Sequence, residues 1–332
     1  MNLKSTMHAT VILVTSLSAS LVLSAGTQAG TWQWKHDEGK SLALVGANGV
    51  VWQLNFDKEL TKVRFDPLGT PEGKSLTWDQ PPDHKWHHGL WFSWHTINGI
   101  NYWEHDRTTG KPAGTTELRK VEVTRANQQG AVVILRFAYH PANVDRVIMD
   151  EVVTLRIETP RADGSYRIDW EQNTTARVNV TLNRTPPPGQ PNGKGHGGYG
   201  GLSYRGAKAL ANVKIIDSKG REDMKTHRQT ARWMDVSGTL DGKPAGVTIF
   251  DHPSNPRHAT PWFIVKVKKK HGPFTYINPA LLCWKPLVLP KGRTLRLNYR
   301  VLLHRGRGDQ ATLDAEYQRF AATRQLEALK QK

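Results

Sequence analysis

The clearest pattern along the chain is alternation. Leu295, Leu297, Tyr299, Val301 and Leu303 are apolar, and Arg296, Asn298 and Arg300 fall between them. A period of two over this stretch predicts a half-buried strand. Val178, Val180 and Leu182 alternate in the same way with Asn179 and Thr181. Ala131–Tyr139 and Val147–Ile157 are apolar runs rich in β-branched residues, and they also read as strands. Gly and Pro punctuate the gaps between these runs. The period changes only near the end, where Leu313, Tyr317 and Phe320 recur at helical spacing and predict one helix from about 310 to 331. Many strands with turn signals and a single helix predict an all-β chain, folded as a sandwich or a barrel.

The first 29 residues stand apart from this pattern. Lys4 is their only lysine or arginine, they hold no acid, and Ala9–Leu23 is apolar with interspersed Ser and Thr. Thr27-Gln28-Ala29 places small residues around a cleavage point after Ala29. This is the pattern of a secretory signal peptide, and it predicts a periplasmic or secreted protein whose single domain covers 30–332. The alternative, an uncleaved anchor, needs a longer apolar stretch, and no membrane span follows in the mature chain. With 38% hydrophobic and 23% charged residues the chain can bury a sizeable core, which excludes a disordered protein. The lone cysteine, Cys283, excludes an internal disulfide. It lies in the apolar run Ala280–Trp284 and reads as inert core. The formal charge of +17 becomes +16 once Lys4 is removed with the signal.

The candidate chemistry is concentrated in Trp78–His105, which holds five of the 12 Trp and five of the 14 His. In an extended segment, His88, Leu90, Phe92 and Trp94 fall on one face, and His87, Trp91, Ser93 and His95 on the other. The second face mixes aromatic and polar groups. An indole covers the apolar C–H face of a pyranose, while imidazoles and hydroxyls bond its oxygens, so this face fits a sugar. A metal is the rival reading. His84, His87 and His88 sit in a turn after Pro81-Pro82, and imidazole suits Zn, Cu, Fe and Ni. His87 and His95 would lie roughly 26 Å apart along a straight strand, and the chain has no HExxH or CxxC pattern. The sequence therefore commits to no cofactor.

Asp83-His84-Lys85-Trp86-His87-His88-Gly89-Leu90-Trp91-Phe92, followed by Asn98-Gly99 and Tyr102-Trp103, resembles the N-terminal signature of a group of exported bacterial proteins often labelled "PmoA" or "methane oxygenase". Gly197–Leu202 with Tyr204-Arg205 is similar to a second block of that family, as is Asp251–Arg257 with Pro261-Trp262-Phe263. The blocks span about 65–305. The resemblance implies a large antiparallel β-sandwich, similar to the galactose-mutarotase supersandwich, in a glycan-degradation setting. It carries no established mechanism. Membrane methane oxidation is not the chemistry expected here, because the true PmoA subunit is a membrane protein and no span follows the signal.

Two further stretches add candidates. Eleven of the 16 residues from Pro186 to Gly201 are Gly or Pro, which reads as a linker or as an ordered loop over a binding face. Strand-like runs on both sides favour the loop. Phe250–Phe263 packs Asp251, His252, Asn255, Arg257 and His258 among three prolines, which limits the entropy left to lose on binding. From His252 to Gly308 there is no Asp or Glu among 12 Lys and Arg, a basic face that attracts an anionic polymer. Export and the lack of any nucleic-acid motif argue for an anionic polysaccharide over nucleic acid. The expected protein is therefore an exported carbohydrate-active one. His87 or His88 and His252 would transfer protons and Asp251 would orient an imidazole. Trp91 and Trp262 would stack on sugar, Arg205 and Arg257 would hold an anionic group, and His95, Tyr199 and Asn255 would contact the substrate. Glu104 and Asp106 are further available carboxylates. The alternatives are a non-catalytic glycan-binding module and a transition-metal protein using His84, His87 and His88.

Overall fold

A computed structural model describes residues 32–323 except Asn143. The predicted signal and the last third of the predicted helix lie outside them. The described chain is built from antiparallel sheets. One eight-stranded sheet runs in the order Gln33–Asp37, Ser41–Gly46, Gly49–Asn55, Arg64–Leu68, Leu90–Ser93, Gly201–Arg205, Gly272–Pro279, Trp262–Lys269. A second runs Ala211–Asp217, Trp233–Leu240, Lys243–Asp251, Thr294–Arg305, Tyr166–Ala176, Met149–Glu158, Gly130–His140, Thr115–Asn127. A small four-stranded sheet joins Leu287–Leu289, Val180–Asn183, Thr96–Ile97 and Ile100–Asn101.

The two large sheets face each other over one apolar core. Leu54, Phe65, Leu90, Leu202, Ile264 and Ile277 of the first meet Val133, Leu155, Ile168, Val247, Leu297 and Val301 of the second. The alternations read from the sequence are the inward halves of these strands, and each such side chain contributes about 1.5–3 kcal/mol on burial. The fold is thus the antiparallel β-sandwich with a C-terminal helix that the sequence predicts. Thr115–Asn127 lies at the edge and carries Arg119, Lys120 and Glu122, charges that discourage pairing with another sheet.

The helix covers Gln310–Ala321, opened by the Asp309 side chain accepting from Thr312 N at 2.9 Å. Leu313, Tyr317 and Phe320 are its buried face, as their spacing predicts, and they pack on Trp233, Phe250 and Leu302 outside the second sheet. Glu316 adds polar ties, accepting from Arg167 Nη2 at 2.7 Å, Arg300 Nη1 at 2.9 Å and Arg319 Nη2 at 2.8 Å. The Gly/Pro-rich stretch is an ordered loop with its own turns, among them Gly193 N to Gln190 O at 2.9 Å and Gly197 N to Lys194 O at 2.8 Å.

Candidate functional site

The pleat of the first sheet sends alternate residues outward, away from the core. Leu90, Leu202, Ile264 and Ile277 point inward, so Trp91, Phe263, Val265, Phe274 and Tyr276 come out on the other face. There they form a second apolar cluster with Trp103, Tyr199, Ala280 and Cys283. His87 lies against it, its ring stacked on Tyr276 at 5.1 Å and tilted on Trp91 at 5.4 Å. Above this layer is a cavity of about 530 Å³. Its walls are Trp86, Phe263, Phe274, Tyr276 and Tyr199, and its polar groups are His84, His87, Glu104, His196, His227 and Lys269.

The polar groups are positioned by side chains from several loops. His84 Nδ1 lies 3.1 Å from Asp83 Oδ2, a close polar contact rather than a well-directed hydrogen bond. Asp83 in turn accepts from Arg205 Nη2 at 3.0 Å. The Arg205 guanidinium stacks 3.8 Å over Phe274, one of the cavity walls. With Nδ1 turned to Asp83, Nε2 is the nitrogen His84 presents to the cavity. Glu104 is set by Asn101: the Asn101 carbonyl oxygen accepts from Trp103 N and Glu104 N, and its amide donates to Glu104 Oε2 at 3.3 Å. Tyr199 Oη approaches Glu104 Oε1 at 3.5 Å. Arg228 Nη2 holds the glycine-rich loop through Gly195 O at 2.8 Å and Gly197 O at 2.7 Å, which places Gly195 and His196 at the cavity.

Burial dominates the electrostatics. It lowers the His84 pKa, against the raising effect of Asp83. It holds His87 well below the usual imidazole range, with His84 and Arg205 adding to the effect. It lowers His227, aided by Arg228. Burial would raise Asp83, but Arg205 and His84 outweigh it and keep the carboxyl below its ordinary value. The site therefore combines the neutral imidazoles of His84, His87 and His227 with an ionised Asp83. Among the described residues, no protein group bonds the buried nitrogens His87 Nδ1, Trp91 Nε1 or Trp103 Nε1. Beneath Trp103, Lys62 donates to its carbonyl at 2.6 Å, and burial pushes the Lys62 pKa down to about 7.

Of the residues picked from sequence, the structure brings His84, His87, Glu104 and Tyr199 to this cavity. His95 lies just below it, parallel to Trp103 at 6.2 Å and edge-on to Tyr199 at 5.0 Å. Trp91 is fully buried under His87, so it supports the floor and cannot stack on a ligand. His88 does not join the core face with Leu90. Its Nδ1 bonds Asp79 Oδ1 at 2.6 Å and its ring meets Trp91 edge-on. No group of three potential metal ligands converges among the described residues.

The Asp251–Trp262 block serves the framework instead. Trp262 is buried between the sheets with Nε1 on Ala231 O at 2.9 Å. Asp251 is buried and pairs with His258 Nδ1 at 2.9 Å, not with His252. It also accepts from Thr260 Oγ1 at 2.7 Å and Asn255 Nδ2 at 2.7 Å, which ties up Asn255. His252 Nδ1 is 2.7 Å from Ser254 Oγ, and its ring packs on Phe320 of the helix. Arg257 donates to the carbonyls of Leu281, Lys285 and Pro286. Arg205, 1% exposed, is out of reach of a ligand's anionic group. The basic tail is partly neutralised, since Arg300 pairs with Asp169 and Glu316, Arg305 with Glu72 and Lys266 with Asp223.

Sequence reasoning missed Trp86, His196, His227, Phe263, Lys269, Phe274 and Tyr276. One signal was available: in Trp262-Phe263 the two rings point to opposite faces, and a one-residue choice of parity decides which reaches the site. Phe274 and Tyr276 also sit two apart on one strand.

The fold and site together define an antiparallel β-sandwich with an aromatic-walled, histidine-bearing cavity on the outer face of one sheet. The chain belongs to a family of unknown function (DUF6807), whose profile matches residues 42–318. No curated protein sequence matches it. Among solved structures it is similar to the alpha-galactosidase from Lactobacillus brevis, at 10% identity and a TM-score of 0.39, covering 86% of this chain and 41% of that one. It is similar to the galactose mutarotase related enzyme from Lactobacillus acidophilus, at 9% identity and a TM-score of 0.33, covering 82% and 97%. A third is the alpha-galactosidase AgaA from Geobacillus stearothermophilus, at 8% identity and a TM-score of 0.38, covering 83% and 41%. This chain thus spans about two fifths of each alpha-galactosidase chain.

Proposed function

We propose that this is an exported protein that takes a glycan into the cavity and moves a proton there through His84. The observation that carries the reading is the Arg205–Asp83–His84 chain at a cavity that also holds the Glu104 carboxylate. Aromatic walls suit the C–H faces of sugar rings, and neutral imidazoles suit their hydroxyls. An imidazole whose Nδ1 faces an ionised Asp83 is a base at Nε2, and Glu104 is the group to return or receive the proton. Lys269, with Nζ 4.6 Å over Phe274, is the cation at hand for an anionic sugar. Export rests on the N-terminal pattern of charge and small residues and on the resemblance to exported bacterial proteins.

The test is turnover of soluble polysaccharide digests by the mature protein, followed by chromatography of the products. His84→Gln and Glu104→Gln each abolish turnover while ligand binding persists. Asp83→Asn removes the charge that raises His84, so the acid limb of the pH–rate profile moves to lower pH. Wild-type protein that binds a glycan and returns it unchanged would make this a binding module, and turnover unaffected by His84→Gln would remove the proton-transfer role.

A further inference from the structure

All twelve tryptophans lie within the described residues, and Trp284, at 48% exposure, is the exposed one. A single exposed apolar residue needs no explanation by itself. What surrounds this one does. Its backbone carbonyl accepts from Gln190 Nε2 at 2.7 Å. Arg257 donates to Leu281 O at 2.9 Å, Lys285 O at 2.7 Å and Pro286 O at 2.7 Å. Arg184 Nε donates to Cys283 O at 3.3 Å. Three long side chains fix the main chain of a short turn whose indole is left in water. Order of this kind lowers the entropy lost when a ligand settles on the ring.

The turn is also joined to the cavity. A Cβ placed on Gly198 would stand 3.1 Å from Cys283 Sγ, so the glycine-rich loop and the turn are in direct contact. Tyr199, a cavity wall, follows Gly198, and Trp284 follows Cys283. Bond lengths along that path keep the Cα atoms of Tyr199 and Trp284 within roughly 15 Å, a span of a few sugar units. Lys285 and Pro286 beside the indole are exposed. A single exposed indole flanked by exposed Lys285 and Pro286 offers the area of one pyranose C–H face rather than the broad apolar core of a protein interface.

We propose that Trp284 is a distal sugar platform, and that the ligand is an oligosaccharide or polysaccharide running from the cavity across the glycine-rich loop onto this indole. The proposal rests on the glycan reading of the cavity. The test uses the full mature protein and two probe series of one to six units, oligogalacturonides and cello-oligosaccharides, with affinity measured by calorimetry. Single-unit binding, weakened by Phe263→Ala, reports on the cavity. The gain with chain length reports on the platform.

In the series that binds, affinity rises about tenfold as the chain lengthens. Trp284→Ala removes that rise and keeps single-unit binding, while Trp284→Tyr keeps part of the rise. A rise that survives Trp284→Ala overturns the platform and leaves the cavity reading standing. A fall in single-unit affinity equal to that for long chains means that Trp284 supports the fold instead. Sedimentation showing a wild-type dimer that Trp284→Ala dissociates would reassign the ring to contact between copies. Failure of both series to bind removes the platform, while the cavity reading is decided separately by the turnover experiment.

Discussion

His95 gives a quantitative test of how dry the layer under the cavity is. The ring is 4% exposed, lies between Trp103 and Tyr199, and has no bond to either nitrogen among the described residues. Burial, with smaller contributions from His196 and Lys62, lowers its pKa to about 4. The unfolded chain has an ordinary histidine near 6.5. The folded value lies below the unfolded one, so the unfolded state binds the proton first on acidification. Stability tied to His95 is fully present above about pH 6.5 and is lost as the pH falls towards 4. Between pH 7.5 and 5.0 the loss is roughly 2 kcal/mol. The assay is urea unfolding of wild type and His95→Met at both pH values. Any packing change in the variant is common to both conditions and cancels. The variant should lose roughly 2 kcal/mol less on acidification than wild type. An equal loss in both proteins would mean that His95 is hydrated or paired, and that the floor of the cavity is wet.

Two further changes probe the frame. Glu316 is buried, which would raise its pKa, but Arg167, Arg319 and Arg300 hold it down to about 2. Its contribution is present above the ordinary carboxylate range and is lost as the pH falls through about 2. Glu316→Gln should destabilise by about 3 kcal/mol at neutral pH, read by thermal unfolding, and a change below about 0.5 kcal/mol would make the cluster ornamental. Gly198 has φ of +105° with Cys283 Sγ 3.1 Å from its would-be Cβ. Gly198→Ala should therefore lose about 1–3 kcal/mol. Adding Cys283→Ala should recover only the steric part, and full recovery would show that the backbone conformation carries no strain.

The core was legible because it depends on period alone. Leu295 to Leu303 and Ala131 to Tyr139 alternate or run apolar since one face of each strand meets the opposite sheet, and local sequence records that face. Helix packing through Leu313, Tyr317 and Phe320 was legible for the same reason. The site was not, because its residues are assembled by contacts between distant segments. Asp83 and Arg205 are 122 residues apart in sequence, and Tyr199 meets Glu104 across 95. No spacing rule links them. The polar cluster at Asp251–Arg257 looked like chemistry for a related reason. Its Asp, Asn and Arg satisfy buried carbonyls, amides and His258, and sequence does not say whether a polar group serves the backbone or a ligand.

The same sheet explains why both readings coexist in one strand. Leu90 and Trp91 are neighbours, yet one fills the inter-sheet core and the other the layer beneath the cavity. The first sheet is apolar on both faces at Leu90–Ser93, Trp262–Val265 and Phe274–Ile277. A sheet with one face in water would alternate with polar residues there. Its outer aromatic face is covered in part by the glycine-rich loop and the Pro81–His87 turn, which deliver His196 and Tyr199 and His84 and His87 to the cavity. The second sheet solves the same problem differently, closing its outer apolar patch with the C-terminal helix. Helix on one side and open, histidine-lined loops on the other make the two outer faces unequal. That inequality is the physical argument for seeking the ligand over Phe263, Phe274 and Tyr276 rather than at the Asp251 block.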